Sequence, residues 1–336
     1  YWVVGLRAPG HGTAPSGLKY VKPDDLTAAT RLAMAHLSES VGDRPLHIIG
    51  YSTGASLALG FALDAAEGVV SPMPASLVLV SPAIRVHAVA SLASFKRGAS
   101  SVPGLSGMAW LSVMPEFDPY KYNSFATNAA DVVHQLTRGV DRRIAGRSES
   151  DEPLPPILAL KSTVDATVTT AAIVDNLLSL LTPKRHELVL FDINRYAAKA
   201  SLLTENPAPL TDRVHGDGSL PFALTVVPNR DNQTRDVVAR RKEAYSGNAM
   251  VHELPGLAWP NDVFSLSHVA LPFAPDDPLY GSEPPADDTT LHLGDIPLRG
   301  ERDMNRISGE WLLRMRYNPF YDVLESRVLG WLEEAN

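Results

Sequence analysis

The stretch Leu46-His47-Ile48-Ile49-Gly50-Tyr51-Ser52-Thr53-Gly54 restricts what this chain can fold into more than any other. Its first four residues make a short, largely apolar run ending in two β-branched isoleucines, the pattern of a buried strand. After it, Ala55 to Leu63 reads as a helix. A Gly-x-Ser-x-Gly pentapeptide between a strand and a helix is a nucleophile elbow, with Gly50, Tyr51 and Gly54 framing Ser52. The residue types follow from the geometry. Ser52 must occupy the tip of a very tight turn, and Gly50 and Gly54, lacking a Cβ, let strand and helix approach closely. The turn holds the hydroxyl over a helix N-terminus, where free N–H groups and the positive end of the dipole favour a developing oxyanion.

The rest of the chain repeats the same alternation. Tyr1–Leu6, Ser76–Pro82, Ile157–Lys161, Glu187–Asp192, Phe222–Val227 and Met250–Leu254 read as strands. Pro23–His36, Thr170–Leu181, an exposed Arg235–Tyr245 and the C-terminal Glu310–Arg316 and Tyr321–Ala335 read as helices. Apolar strands alternating with helices imply a mostly parallel central sheet with helices on both faces. Two stretches break the rhythm. Ala83–Glu152 carries a Gly/Ser cluster, the aromatics Trp110, Phe117, Tyr120, Tyr122 and Phe125, and a helical segment from Ala129 to Ile144. It reads as an insertion that closes through the stiff linker Asp151–Pro156. Asn194–Ser219, rich in Pro, Asn and Asp, reads as a second, irregular insertion.

Composition excludes several classes. A net charge of −8 argues against a nucleic-acid surface. The absence of Cys removes thiol nucleophiles, disulfides and Cys-ligated metals. No apolar run approaches the ~18 residues of a membrane span, so a soluble chain is expected, with its compartment, cytoplasmic or exported, left open. The first residue, Tyr1, opens on a core-like strand without an initiating Met. The expectation is a chain that begins inside a longer product, with any targeting segment upstream of Tyr1.

An activated serine needs a base, and the base an orienting acid. In elbow-containing folds these follow in the chain order Ser, Asp or Glu, His. Asp165 lies four residues past the Ile157–Lys161 strand, on the sheet edge that the elbow faces. Its rivals are Asp192, which ends the next strand beside Arg195, and Asp262, six residues before a histidine in a Pro-Asn turn context. Of ten histidines, His268 follows the last core-strand candidate and suits the order. His252 sits within a strand pattern and His11 comes too early, while His36, His134 and His186 read as surface. Val214-His215-Gly216-Asp217-Gly218 imitates an oxyanion loop but follows the nucleophile and reads as a turn.

Taken together, Arg7-Ala8-Pro9-Gly10-His11-Gly12, Gly50–Gly54, Ser162–Val168 and Ser267-His268-Val269 resemble motifs of the α/β-hydrolase superfamily. The likeness is greatest to bacterial esterases and lysophospholipases allied to monoacylglycerol lipase and the serine aminopeptidases. It implies an α/β-hydrolase core over 1–82 and 153–336, a lid over 83–152 and an irregular insertion over 194–219. It also implies that Ser52, Asp165 and His268 form a triad acting on a small ester or acyl substrate without metal or organic cofactor. Ser162 stands where the family usually has Gly. The family's first oxyanion donor would fall upstream of Tyr1, in a His-Gly loop after a strand that normally lies between Tyr1–Leu6 and Leu46–Ile49, and the remaining donor it implies is the backbone N–H of Thr53. An amide or peptide hydrolase remains open at the same site, as does an inactive binding protein on this fold.

Overall fold

The computed structural model describes residues 1–84, 106–148, 150–163, 165, 169–196, 208–261, 263–284, 291–294 and 316–335. Its framework is a seven-stranded sheet in the order β1-β2-β5-β6-β7-β8-β9. The strands β1 (His47–Tyr51), β2 (Ser76–Val80), β5 (Ile157–Ser162), β6 (Glu187–Phe191) and β7 (Ala223–Val227) run parallel. β8 (Asp236–Lys242) and β9 (Met250–Ala258) extend the far edge as an antiparallel meander. A separate antiparallel pair joins β3 (Trp110–Ser112) to β4 (Phe125–Ala126).

Because strand side chains alternate, the central strands supply two cores. Leu77, Leu79, Ile157, Ala159, Leu188, Leu190, Leu224 and Val226 face one way. They meet α2 (Thr53–Ala66), α3 (Thr127–Ala145), α4 (Thr170–Asn176) and α5 (Ala208–Gly216) through Leu59, Leu63, Val140, Ile144, Ile173 and Val214. Val78, Val80, Leu158, Leu160, Val189 and Phe191 face the other way, onto Trp259, Phe320 and α6 (Tyr321–Glu334). Trp259 and Phe320 meet edge to face at 4.8 Å, and each such buried side chain contributes about 1.5–3 kcal/mol. A third cluster seats α1 (Pro23–Val41) through Met34 against Leu46 and Phe61. Pro23 at the first helical turn and Asp25, whose Oδ2 accepts from the Lys22 N–H at 2.8 Å, start that helix.

The mostly parallel α/β sheet with helices on both faces is the fold class expected from the sequence. Several local expectations are corrected. Arg235–Tyr245 is not an exposed helix; it supplies β8, paired with β7 at Leu224↔Lys242, Thr225↔Arg241 and Val226↔Arg240. Its charges, which suggest a solvated helix face, have partners that only tertiary structure supplies. Arg241 Nη1 lies 2.6 Å from Glu187 Oε1, and Lys242 Nζ donates to the carbonyls of Val214, His215 and Asp217. Tyr1–Leu6 is exposed and forms no strand, since no ladder joins it to a described strand. β1 is thus an edge of the described sheet, and Ile49 on it is 58% exposed. Asn194–Ser219 is not wholly irregular, because α5 lies within it and seats Val214 in the core. Val214–Gly216 closes that helix, and the turn follows at Gly218. Thr170–Leu181 divides into α4 and a short 3₁₀ turn, Leu178–Leu180. His186 is buried, not superficial, with Nδ1 accepting from the Ile157 N–H at 3.2 Å. The expected Glu310–Arg316 helix lies outside the described residues except for Arg316.

Candidate active site

Ser52 lies at the turn where β1 ends and α2 begins. Ser52 has φ 53° and ψ −114°, a left-handed conformation that an L-residue holds only under constraint. The constraint is backbone pairing: Ser52 N–H donates to Val80 O at 2.9 Å, and Ala83 N–H donates to Ser52 O at 3.2 Å. Gly50 is obligatory, because a Cβ there would come within 2.5 Å of Gly54 O and 2.7 Å of Ala55 Cα. Gly54 has open space at its own Cβ position, so its place in the turn owes nothing to crowding. Thr53 opens α2, and its N–H, in the first turn, has no carbonyl one turn earlier to bond.

Asp165 lies just beyond β5, its N–H donating to Ser162 O at 3.3 Å. His268 lies on the segment that returns across the sheet after β9. Tyr51 braces it, with the phenol donating to His268 O at 3.3 Å and the rings 5.3 Å apart. Residues far apart in the chain thereby converge: His268 Nδ1 is 2.7 Å from Asp165 Oδ2, and His268 Nε2 is 3.1 Å from Ser52 Oγ. Burial alone would raise the Asp165 carboxyl, but the hydrogen bond from His268 and the Lys161 ammonium outweigh it and bring it down to about 2. An ionised carboxylate only accepts. Nδ1 therefore carries the proton, and in the neutral ring Nε2 is left to accept from the serine hydroxyl. The arrangement can remove a proton from Ser52 while stabilising the imidazolium that results.

The other candidates lie apart from this line. Asp192 accepts from Arg195 Nε at 2.7 Å and from Thr163 Oγ1 at 3.4 Å, with no bond to His268. Asp262 lies outside the described residues. His252 is exposed on β9, and His11 stays in its own loop with Nδ1 3.0 Å from Pro9 O. Beside Ser52 a cavity of about 640 Å³ runs along the edge of β1, lined by Leu6, Met34, Ile49, Phe125 and Val132 among others. Trp110, Phe117 and Tyr122 are not part of its lining. Trp110 lies under Lys19 Nζ at 5.9 Å, and Tyr122 stacks on His11 and accepts from Thr13 N–H at 2.9 Å.

One residue in the site escaped the sequence reading. Lys161, taken there only as the end of a strand, is wholly buried with Nζ 3.2 Å from Asp165 Oδ2. The signal was a lysine inside an otherwise apolar buried strand, a position that lysine occupies only when paired.

No family model matches the chain, and no curated protein does. Solved structures do. One comes from work on LipS and LipT, two metagenome-derived lipolytic enzymes, at 19% identity and TM-score 0.43, covering 55% of this chain and 69% of that one. A Paleococcus ferrophilus monoacylglycerol lipase matches at 16% identity and TM-score 0.37, over 49% of this chain and 65% of that one. A soluble variant of Saccharomyces cerevisiae monoglyceride lipase, in complex with a substrate analog, matches at 12% and 0.41, over 55% and 66%. The chain thus spans about two thirds of the length of each. These likenesses are faint in sequence and in superposition, and the functional reading rests on this chain's own side chains.

Proposed function

We propose that the chain is a serine hydrolase that cleaves carboxylic esters through an acyl-enzyme on Ser52. The observation that supports it most is the unbroken line from Ser52 Oγ through His268 to Asp165, at 3.1 and 2.7 Å. In this reading Ser52 Oγ attacks the acyl carbon as His268 Nε2 takes its proton. The tetrahedral oxyanion is stabilised by the Thr53 N–H at the start of α2. Collapse expels the alcohol, which takes the proton from Nε2. Water then enters, gives a proton to Nε2 and attacks the acyl carbon; collapse releases the acid as Ser52 Oγ leaves and takes that proton back from Nε2, while Asp165 holds the ring tautomer throughout. The strained backbone of Ser52 supports the role, because such conformations concentrate at functional sites.

The wider layout belongs to the same proposal. In this reading residues 1–82 and 153–336 make the catalytic core, 83–152 a lid whose helix α3 also packs on the sheet, and 194–219 an insertion that carries α5. Phe125 and Val132, from within 83–152, line the cavity beside Ser52 and support a lid that shapes the substrate site.

A fluorophosphonate probe tests the chemistry, because it labels only an activated serine. Labelling of the parent that is lost in Ser52→Ala is expected; an unlabelled parent favours an inactive binding protein. Turnover of a p-nitrophenyl ester panel above aminoacyl anilides is expected, and the reverse order would replace esterase with amide or peptide hydrolase.

A further inference from the structure

We infer that Lys161 is a positioning residue of the triad, whose buried positive charge sets the pH range over which the Asp165–His268 pair works as a base. The inference rests on the serine hydrolase reading and deepens it. Lys161 sits at the C-terminal end of β5, four residues before Asp165, and both side chains are 0% exposed. Its Nζ is 3.2 Å from Asp165 Oδ2 and 3.4 Å from the Asp165 carbonyl. The oxygen it approaches is the same Oδ2 that accepts from His268 Nδ1. One carboxylate oxygen therefore serves a fixed cation and the imidazole together.

Two consequences follow from charge. First, a buried lysine carries a large desolvation cost unless an anion is beside it, so Lys161 and Asp165 hold one another ionised. Second, the ammonium takes up part of the negative charge that would otherwise draw a proton onto the imidazole. A like charge within ~4–6 Å of a titrating pair disfavours its protonated form. The pair thereby stays an unprotonated base at lower pH than an Asp–His pair without such a neighbour. Tyr51, from β1, remains a neutral phenol, its ionisation opposed by burial and by Asp165. Asp192, on the loop after β6, is already paired with Arg195 at 2.7 Å.

The test is the pH profile of kcat/KM on a p-nitrophenyl ester for the parent, Lys161→Met and Lys161→Gln, with Tm measured for each. Met keeps the length of the side chain without the charge; Gln keeps a hydrogen-bond donor without the charge. The expected result is an acidic limb about one pH unit higher in both variants, with turnover on the alkaline plateau within about tenfold of the parent. A purely structural lysine would lower Tm and leave the limb in place. An unmoved limb in either folded variant overturns the inference, and a parental limb restored by Gln alone would assign the effect to hydrogen bonding. Failure of both variants to fold assigns Lys161 to stability alone and overturns it as well. Fluorophosphonate labelling of the parent comes first: its absence defeats the serine hydrolase reading, whereas labelling with an unmoved limb defeats only the role of Lys161.

Discussion

Replacing Asp165 by Asn separates the two tasks that the proposed mechanism and the buried ion pair give this carboxylate. The side chain keeps its shape, but one oxygen becomes a donor and the charge disappears. If the amide turns its NH₂ toward His268 Nδ1, now 2.7 Å from Oδ2, Nδ1 must accept and Nε2 must carry the proton, which is the wrong tautomer for receiving one from Ser52. Turnover is expected to fall by ~10⁴, equivalent to about 5.5 kcal/mol of barrier. The same change strands the Lys161 ammonium, 3.2 Å away and fully buried, without its anion. Breaking a buried pair from one side costs about 3–5 kcal/mol, a large share of the 5–15 kcal/mol typical of a folded domain. Asp165→Asn should therefore be both inactive and markedly less stable. Adding Lys161→Met should restore much of the stability and none of the activity. Asp192→Asn is the control, since it disturbs an ion pair with Arg195 and no bond to His268. It and Asp262→Asn should stay within about tenfold of the parent, or roughly 1.4 kcal/mol. The assay is kcat/KM on one p-nitrophenyl ester, with chemical denaturation alongside. Near-parental turnover in Asp165→Asn, or the deep loss at Asp192 instead, would refute the reasoning.

Ser52→Ala should lower turnover by several orders of magnitude while leaving Tm close to the parent, since it removes a single hydroxyl whose Oγ lies 3.1 Å from His268 Nε2. Gly50→Ala should destabilise by about 3 kcal/mol or more and end probe labelling, because the new Cβ would press on Gly54 and Ala55 backbone atoms that cannot swing aside; a soluble, labelled variant would contradict the elbow geometry. Burial lowers the His186 imidazole to about 4 from an ordinary 6.5, so the unfolded chain binds a proton there more readily than the folded one. Its contribution is complete above about pH 6.5 and is lost as pH falls toward 4, amounting to roughly 3 kcal/mol. Denaturation midpoints across that window should fall in the parent and flatten in His186→Gln.

The alternation of strands such as Ser76–Val80 and Glu187–Phe191 with helices was legible because each strand is apolar on both faces, a pattern that needs no tertiary knowledge. Ser52, Asp165 and His268 were named from motif and order, and the fold brings those three within hydrogen-bond distance. What escaped depended on partners distant in sequence. Arg240, Arg241 and Lys242 resemble a solvated helix face until Glu187 and the C-terminal carbonyls of α5 are known to receive two of them. Tyr1–Leu6 has the composition of a strand, but composition alone does not supply an edge to pair with. Lys161 was passed over because a strand-end lysine is ordinarily solvated, and only the turn that carries Asp165 back over it shows its charge to be used.

The hydrogen bonds that unite Ser52, His268 and Asp165 join positions 216 and 103 residues apart. Closing loops of that size is the slow, late part of assembling a parallel sheet, whereas the β7–β8–β9 meander can form from neighbours in the chain. A ribosome that has released Ser52 and Asp165 has still made only an inert serine, because the base emerges after β9. On the serine hydrolase reading, ester turnover would therefore be a stringent report of completed folding in this chain: it could begin only when the chain has been synthesised past His268 and drawn back across the sheet.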